Sequence, residues 1–458
     1  SLYPKLGIEG GAGVRPHKNS INNYCYPENP EAGIDLFLEK LVQETEKEHE
    51  DILEQADETD AVFGELYSWY LRNPEYRSRV QKLVQSAFAE KPEDIISQSV
   101  AKALYGEVSP YSATRLERFA ACAFAHFLQY GMKLTERVEY EFKPMDMGNV
   151  MHEALESFAE EVRKRGMKWT ELTEQERNEI ADRCLDNIVA DYGNTVLKSS
   201  ARNEYMIERT RRILRRTVWA LQKQLEQGEF QPEGFEVTFG GGRIDRVDIM
   251  EDQNKVYVKV IDYKTGNTSF DLVYLYHGLQ LQLMIYLDGA LRVEQKKYPD
   301  KEIIPAGVFY YNIKDPMIQE KIDADVEAVS AGLMKELKMN GLVQADPELV
   351  YRMDSSLGSI PVAFNKDGSF RKNSSVADRT QFAVLGRYVR TKIEKIRSSI
   401  LEGDAEVSPY ELGKKNACTY CPYMTVCGFD RRLSGYEFRR LKNFSDEELW
   451  KAFDREAE

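Results

Sequence analysis

The alternation of apolar and polar residues is clearest in the middle of the chain, where it predicts a β-hairpin. Two runs rich in β-branched residues, 240–248 and 256–264, flank a polar break at residues 251–254. Because successive side chains of a strand point to opposite faces, Asp262 and Lys264 share one face. The apolar residues of that face are Val256, Val258 and Val260.

The position of the turn decides which other acidic residues join that face. A turn centred on residues 252–253 sets Asp245 opposite Val260, diagonal to Asp262 on the same face. Asp248 then falls on the other face of the hairpin. A register error of one residue would exchange the two faces, so this prediction depends on the turn.

Two carboxylates and a lysine at the end of an apolar strand require a reason, because unpaired charges are costly there. Asp245 and Asp262 beside Lys264 suit a divalent-metal site, since the ion would offset the repulsion between the carboxylates. The alternative is a surface hairpin whose charges are simply solvated.

Long stretches with the period of an α-helix surround the hairpin. They cover residues 34–103, 170–228 and 377–401, whereas residues 1–35 are rich in Gly, Pro and Asn and predict irregular loop. Residues 305–313 predict a further strand of the core. Helices, a hairpin and another strand within one domain predict an α/β or α+β fold.

The helices on either side of the hairpin carry polar residues of chemical interest. His152 flanks the apolar stripe of a helix that opens at Gly148. Gln282 and Tyr286 lie one turn apart on a helix predicted over residues 279–286. A lone histidine on a helix edge is more often a structural hydrogen-bonding group than a ligand, so its surroundings must decide.

The charge of the chain limits its partners without excluding nucleic acid. With 62 basic and 76 acidic residues, the net charge of -14 argues against a general polyanion binder but allows a local basic channel. The arginine-rich run over residues 209–216 occupies more than one helix face. It either lines a phosphate track or balances the acidic surface.

Cysteine spacing predicts a metal centre. The six cysteines are too few for a disulfide framework in so long a chain, and three of them cluster as Cys418, Cys421 and Cys427. This spacing suits either an iron–sulfur cluster or zinc. The candidates for a fourth ligand are Cys122, which we prefer, Cys25, Cys184 and, for zinc, His126.

The sequence shows no secretory signal and no apolar run of membrane-spanning length. We therefore expect a cytoplasmic protein without a membrane partner. The chain opens on Ser1 rather than Met, which we interpret as a piece of a longer protein.

Several of these features together resemble the RecB-type PD-(D/E)XK nucleases. In chain order the shared motifs are Gly148-x-x-x-His152-x-x-x-Glu156, Gly242-x-Ile244-Asp245, Asp262-Tyr263-Lys264 and Gln282-x-x-x-Tyr286. Cys122 upstream and the three clustered cysteines downstream resemble the iron–sulfur staple of that group. Residues 112–122 and 412–430 resemble the AddB group of helicase–nuclease subunits most closely, although Ala123 stands where relatives usually have proline.

The resemblance implies a restriction-endonuclease-like fold, a mixed sheet flanked by helices and preceded by a helical segment. It implies three parts: residues 1–105, a helical remnant of a helicase-like region; residues 106–430, the nuclease domain with its iron–sulfur staple; and residues 431–458, a helical tail. It further implies hydrolysis of DNA, with one strand cut, as an exonuclease, during double-strand-break processing for recombination beside an AddA-type partner. The alternatives are a stand-alone iron–sulfur single-strand exonuclease and a non-enzymatic DNA-binding module with structural zinc.

The same resemblance assigns roles to individual residues. The implied ligands of Mg²⁺ or Mn²⁺ are His152, Asp245, Asp262 and the Tyr263 carbonyl. The implied catalytic set is Asp245, Asp262, Lys264, Gln282 and Tyr286, with Lys264 beside the attacking water. The implied ligands of a [4Fe–4S] cluster are Cys122, Cys418, Cys421 and Cys427. We predict that Arg212, Arg216 and Arg243 contact the DNA strand.

Overall fold

The computed structural model describes residues 34, 37–38, 41, 58–87, 95–106, 112–135, 144–191, 200–240, 242–317, 326–433 and 435–457. Cys25 and nearly all of the loop predicted over residues 1–35 lie outside the described residues. The described chain divides into two compact units. Counting only the described residues, the first contains those up to Ile95, Glu406–Pro409 and those between Tyr420 and Arg439, and the second contains those between Ile96 and Ala405, Tyr410–Thr419 and those after Arg439.

Helices account for most of the described residues. They are α1 (Glu58–Arg72), α2 (Pro74–Ala87), α3 (Gln98–Tyr105), α4 (Ala113–Ala121), α5 (Ala123–His126), α6 (Pro144–Lys164), α7 (Glu174–Asp191), α8 (Ala201–Glu226), α9 (Leu272–Tyr276), α10 (Gln282–Lys297), α11 (Val326–Glu336), α12 (Pro347–Met353), α13 (Arg379–Glu402), α14 (Met424–Cys427) and α15 (Asp446–Ala457). A π-helical turn (Phe127–Gly131) follows α5, and a 3₁₀ turn (Trp169–Glu171) precedes α7.

The strands are β1 (Gln231–Phe239), β2 (Gly242–Asp252), β3 (Lys255–Lys264), β4 (Glu302–Asn312), β5 (Asn340–Gln344), β6 (Val376–Ala377), β7 (Tyr410–Leu412), β8 (Lys415–Asn416) and β9 (Arg439–Arg440). The first six form one sheet in sequence order. Strands β3 and β4 run parallel, as do β5 and β6, and the other neighbours are antiparallel. This mixed sheet confirms the predicted fold class.

The first unit is helical where it is described before Ile95. Helices α1 and α2 pack on a small apolar core, and Asn73 between them accepts a hydrogen bond from the N–H of Glu75 at 3.1 Å. The helical prediction for the described part of this region is confirmed. The start of α2 has a local cause, because the Asn73 oxygen accepts from an N–H group that has no partner within the helix. Core residues here are Ile34, Phe37, Leu41, Leu66, Tyr67, Tyr70, Val80 and Val84.

In the second unit, apolar cores lie on both faces of the large sheet. Tyr257, Ile261 and Tyr263 of β3 enter one core together with α6, α7 and α8. Val256, Val258 and Val260 enter the other with α4, α10, α13 and α15. Strand β3 is therefore buried on both sides, which explains its continuous run of β-branched and aromatic residues.

The hairpin exists as predicted, but its register differs from the prediction by two residues. The turn is centred on residues 253–254, with Gln253 at a φ of 41°, and Val247 rather than Asp245 faces Val260. A shift of two preserves the faces of both strands. Continued by two residues, the register sets Asp245 directly opposite Asp262 instead of diagonal to it.

Other boundaries are also corrected. Residues 279–281 precede helix α10, which begins at Gln282, so the helix predicted over residues 279–286 starts later and extends to Lys297. Strand β4 contains the predicted residues 305–312, and the pairing of β3 with β4 shifts near Pro305, because proline has no N–H for the ladder. Helix α13 begins after Asp378, whose side chain accepts from the N–H of Gln381.

Candidate active site

Two buried carboxylates lie on the adjacent strands β2 and β3, at the end of the hairpin that is away from its turn. Asp262 is 1% exposed, and Asp245 Oδ2 accepts a hydrogen bond from the N–H of Tyr263 at 2.7 Å. This bond fixes the Asp245 carboxylate against the backbone of β3. Burial, followed by the charge of Asp245, raises the pKa of Asp262 to about 7. The site therefore concentrates negative charge that only a cation or a proton can relieve.

Helix α6 adds an imidazole to this pair. His152 Nδ1 lies 3.4 Å from Asp245 Oδ2 and 4.0 Å from Glu236 Oε1 on β1. Burial disfavours the imidazolium, but the hydrogen bond to Asp245 and the surrounding carboxylates outweigh it and raise the pKa of His152. The prediction that His152 and Asp245 meet at one site is thus matched by their positions.

Glu236 is a member of this site that sequence reasoning missed. Ligand atoms of His152, Glu236 and Asp245 lie within 4.8 Å of one another, a grouping found once among the described residues. Burial and then the charge of Asp245 raise the pKa of Glu236 to about 7. Glu236 has a φ of 49°, which lies in the left-handed region, and it contacts Arg243.

The opposite side of the site is a chain of polar contacts that begins at Lys264. Lys264 Nζ lies 2.7 Å from Asp262 Oδ2 and donates to Gln282 Oε1 at 2.8 Å. Gln282 Nε2 donates to the Tyr286 hydroxyl at 2.9 Å. Gln282 and Tyr286 therefore face the site from one side of α10, as their spacing predicted, and Gln282 contacts the ammonium group directly.

Helix α10 depends on a residue that the sequence did not single out. Leu281 precedes the helix and has no side chain that can cap it. Glu117 of α4 accepts hydrogen bonds from the N–H groups of Leu281 (2.7 Å) and Gln282 (3.0 Å) instead. Burial raises the pKa of Glu117 to about 7, although both N–H donors and Lys264 act to lower it. Glu117 thus supplies from a distance the acceptor that a local cap would provide.

The other face of the hairpin carries a separate charge cluster. Arg246 donates to both oxygens of Asp248, at 2.6 and 2.9 Å, and Lys259 Nζ lies 2.9 Å from Asp248 Oδ2. These two cations hold the pKa of the Asp248 carboxyl below its usual value against the effect of burial. The prediction that Asp248 points away from Asp262 is confirmed.

The predicted cysteine ligands lie in different parts of the chain. Cys122 is buried at the end of α4 in the second unit, which also contains the half-buried Cys418. Cys421 and Cys427 belong to the first unit and are both half-buried, and Cys427 is the last residue of α14. Thiolates with this spacing are chemically suited to an iron–sulfur cluster or zinc.

Two alternative ligands are engaged elsewhere. Burial raises the pKa of the Cys184 thiol, which lies in the apolar core of α7 and is therefore a poor thiolate donor. His126 is buried among aromatic rings, and its Nε2 accepts a hydrogen bond from Arg115 Nε at 3.1 Å. Neither surrounding favours metal ligation.

The arginines predicted to bind DNA are on the surface and near acids. Arg212 and Arg216 of α8 both approach Asp315, the latter at 3.7 Å. Arg243 contacts Glu236 at the edge of the acidic site. Other arginines of the same run pair with acids of α7, so part of the run balances surface charge.

The family model of the PD-(D/E)XK nuclease superfamily matches residues 110–428. The chain is 41% identical to the B subunit of the ATP-dependent helicase/deoxyribonuclease of Lachnoclostridium phytofermentans, over 88% of this chain and 36% of that protein. The proteins of the same name from Thermoanaerobacter sp. (strain X514) and Clostridium acetobutylicum are 34% and 33% identical, over 88% and 87% of this chain and 37% and 36% of theirs.

The chain therefore spans just over a third of the length of these curated relatives. Within the described part of the chain, no helix is both long enough and apolar enough to cross a membrane.

Proposed function

Because the chain belongs to the PD-(D/E)XK nuclease superfamily, we propose that it hydrolyses phosphodiester bonds of DNA with the help of a divalent metal ion. The observation that carries the proposal is the buried pair Asp245 and Asp262, with His152 on one side and Lys264 on the other. Two buried carboxylates with a third, that of Glu236, beside them at the end of a rigid strand suit the binding of a hard cation.

The donor set fits Mg²⁺ or Mn²⁺ better than a closed zinc site, because it is mostly oxygen with one imidazole. His152, Asp245, Asp262 and the Tyr263 carbonyl would hold the ion. Glu236 is close enough to His152 and Asp245 to join these two or to orient His152, whereas Asp262 lies outside that group of three. When bound, the ion would polarise the phosphodiester and lower the pKa of a water molecule.

The side chains of this protein contribute positioning and charge. Lys264 holds an ammonium group beside Asp262, where negative charge develops on the phosphate or where an attacking water loses its proton. Gln282 and Tyr286 fix the direction of that ammonium group through consecutive hydrogen bonds. A fixed donor needs no reorganisation during the reaction, which is why such a chain of contacts favours catalysis.

We propose further that the chain acts as the nuclease part of an AddB-type subunit. In this role it would cut one DNA strand, as an exonuclease, during double-strand-break processing for recombination, with an AddA-type helicase–nuclease as its partner. The name shared by the relatives, which describes one subunit of a helicase/deoxyribonuclease, supports both the DNA substrate and a partner protein. Arg212, Arg216 and Arg243 are proposed to contact the strand.

We also propose a [4Fe–4S] cluster on Cys122, Cys418, Cys421 and Cys427. Anaerobically purified protein is expected to be brown and to absorb at about 400 nm, as iron–sulfur proteins do. Cys421→Ser should lose the colour and the iron. A colourless anaerobic preparation with stoichiometric zinc would contradict this assignment.

Cleavage of end-labelled single-stranded DNA in Mg²⁺ tests the catalytic proposal. Asp262→Asn and Lys264→Ala should abolish cleavage and leave circular dichroism unchanged, whereas Asp300→Asn, at an exposed aspartate, should cut like wild type. If either site variant retains Mg²⁺-dependent activity, the assignment of this site is wrong.

A further inference from the structure

A groove opens in the second unit between helices α10 and α13 and the end of strand β1. Its volume is about 550 Å³, within the range of sites that hold small ligands. Its floor is apolar and is formed by Leu116, Phe239, Met284, Ile285, Val389 and Ile393. A concave apolar floor between two helices is well placed to receive a flat, weakly polar group.

The edge of this groove is positively charged, in contrast to the whole chain. Four cationic side chains and one anionic side chain line it: Arg292, Lys296, Arg390, Arg397 and Asp288. Arg292 and Arg390 share the single carboxylate of Asp288, at 2.7 and 2.8 Å. Arg397 pairs with Glu394 at 3.1 Å. Because one aspartate cannot neutralise both Arg292 and Arg390, and Lys296 adds a further positive charge, the groove keeps an excess of positive charge in a protein of net charge -14.

The groove is adjacent to the candidate active site. The ring of Phe239 packs edge-on against the ring of Tyr286, with 5.9 Å between centroids. Tyr286 accepts the hydrogen bond of Gln282, which contacts Lys264. The ring of Phe239 thus separates the groove from the contacts that lead from Tyr286 through Gln282 to Lys264, the candidate catalytic lysine.

We propose that this groove binds a segment of single-stranded DNA next to the bond that is cut. The proposal rests on the proposed nuclease function and extends it to a binding site for the substrate. Single-stranded nucleic acid is bound by basic grooves in which bases stack on aromatic or apolar surfaces, while Arg and Lys contact the phosphates. The apolar floor suits the bases, and the cationic edge suits the phosphates.

The charge of the groove predicts a salt-dependent affinity. Each phosphate contact to a single strand contributes about 0.7 to the slope of log affinity against log salt. Removing Arg292, Lys296 and Arg390 together, as glutamines, should therefore reduce that slope by about 2. If the affinities of the wild type and the triple variant become equal near 1 M salt, the triple variant should bind up to about a hundredfold more weakly than the wild type at 0.1 M salt.

The test is fluorescence anisotropy of a labelled oligothymidylate in EDTA, which prevents metal-dependent cleavage during the measurement. The matched control is Arg183→Gln, compared with Arg390→Gln alone, because each of these two variants removes one positive charge. Arg183 and Arg390 are both arginines with 51% exposed side chains, and each pairs with one carboxylate. The triple variant should bind more weakly, with a slope lower by about 2, and Arg390→Gln should show about a third of that change, whereas Arg183→Gln should keep the affinity and slope of the wild type.

If the triple variant keeps the affinity and slope of the wild type, the proposal is wrong. That result is also the one expected if the groove binds an acidic protein instead of DNA. A cleavage assay separates this failure from that of the proposed function. If Asp262→Asn abolishes cleavage but the triple variant binds normally, only the groove proposal fails. If Asp262→Asn still cuts, the catalytic assignment fails whatever the affinity.

Discussion

The carboxylate of Glu117 is expected to control the position of Lys264, although the two residues lie on different elements. It accepts the N–H groups of Leu281 and Gln282 at the start of α10, and Gln282 accepts a hydrogen bond from Lys264 Nζ at 2.8 Å. We therefore predict that Glu117→Ala loosens the first turn of α10 and slows DNA cleavage.

The size of the effect follows from the contacts that are lost. An N–H that loses its acceptor in a buried place costs about 1–3 kcal/mol, and a lost helix cap costs about 0.5–2 kcal/mol. We expect Glu117→Ala to lower the free energy of unfolding by about 2–4 kcal/mol. A hydrogen bond to a charged group contributes about 1.5–3 kcal/mol, so losing the hold of Gln282 on Lys264 in the transition state corresponds to about 10–150-fold in kcat.

Glu117→Gln is the matched control, because its amide oxygen can accept the same two N–H groups without the charge. Urea titrations and single-turnover cleavage should find Glu117→Gln close to wild type and Glu117→Ala impaired in both. The raised pKa of Glu117, about 7 against 4.5, means that the folded state favours the proton. Wild-type stability should therefore decline as pH rises from about 4.5 to about 7, and Glu117→Gln should lack that part of the decline.

Two results would refute this reasoning about Glu117. Wild-type kcat and stability in Glu117→Ala would show that α10 needs no acceptor from α4. Equal losses in Glu117→Gln and Glu117→Ala would show that the charge matters and the acceptor does not.

Three further predictions concern the stability of the fold. Burial and the nearby Arg115 guanidinium lower the pKa of His126 from 6.5 to about 3, so between these values the unfolded chain alone takes up the proton. The free energy of unfolding should therefore fall by about 2 kcal/mol between pH 7 and pH 5, and urea titrations of His126→Phe should lack this contribution. Asp248→Asn leaves two buried cations without their counter-charge and should cost about 3–5 kcal/mol by the same assay. Gly341→Ala would bring a Cβ within 1.9 Å of a carbonyl oxygen of β4 and should lower the melting temperature, whereas Gly266→Ala meets no described atom within 4 Å and should leave it unchanged.

The sequence predicted the hairpin and the faces of its strands because both depend on a period of two. A run of β-branched residues that is buried on two sides favours a strand over a helix. Asp245 and Asp262 stay on the same face whenever the pairing of the two strands shifts by an even number of residues. The turn itself was misplaced. Gln253 has a positive φ although it is not glycine, asparagine or aspartate, so its residue type gave no signal for the position of the turn.

Glu236 and Glu117 were missed for a different reason. Glu236 lies on β1, where the strand pattern is weak and its own backbone is in the left-handed region, so no periodicity assigned its direction. Glu117 acts across 164 residues on a helix whose preceding residue, Leu281, has no capping side chain. The absence of a local cap before Gln282 is the signal that could have prompted a search for a distant acceptor.

The decisive difference between the two acid–lysine clusters of this hairpin is their charge balance, which the sequence alone does not give. Asp248 meets two cations, Arg246 and Lys259, so its charge is more than matched within the protein. The other face carries three carboxylates, those of Asp245, Asp262 and Glu236. Lys264 and the exposed Arg243 offset two of these charges, and His152 is neutral when it ligates a metal, so one negative charge is left over. A cluster with matched charges needs no ligand, whereas buried carboxylates in excess are stable only with protons or with a cation from solution. We therefore propose the second face as the place where a divalent ion binds. Burial, and after it the charge of Asp245, raises the pKa values of Asp262 and Glu236 there.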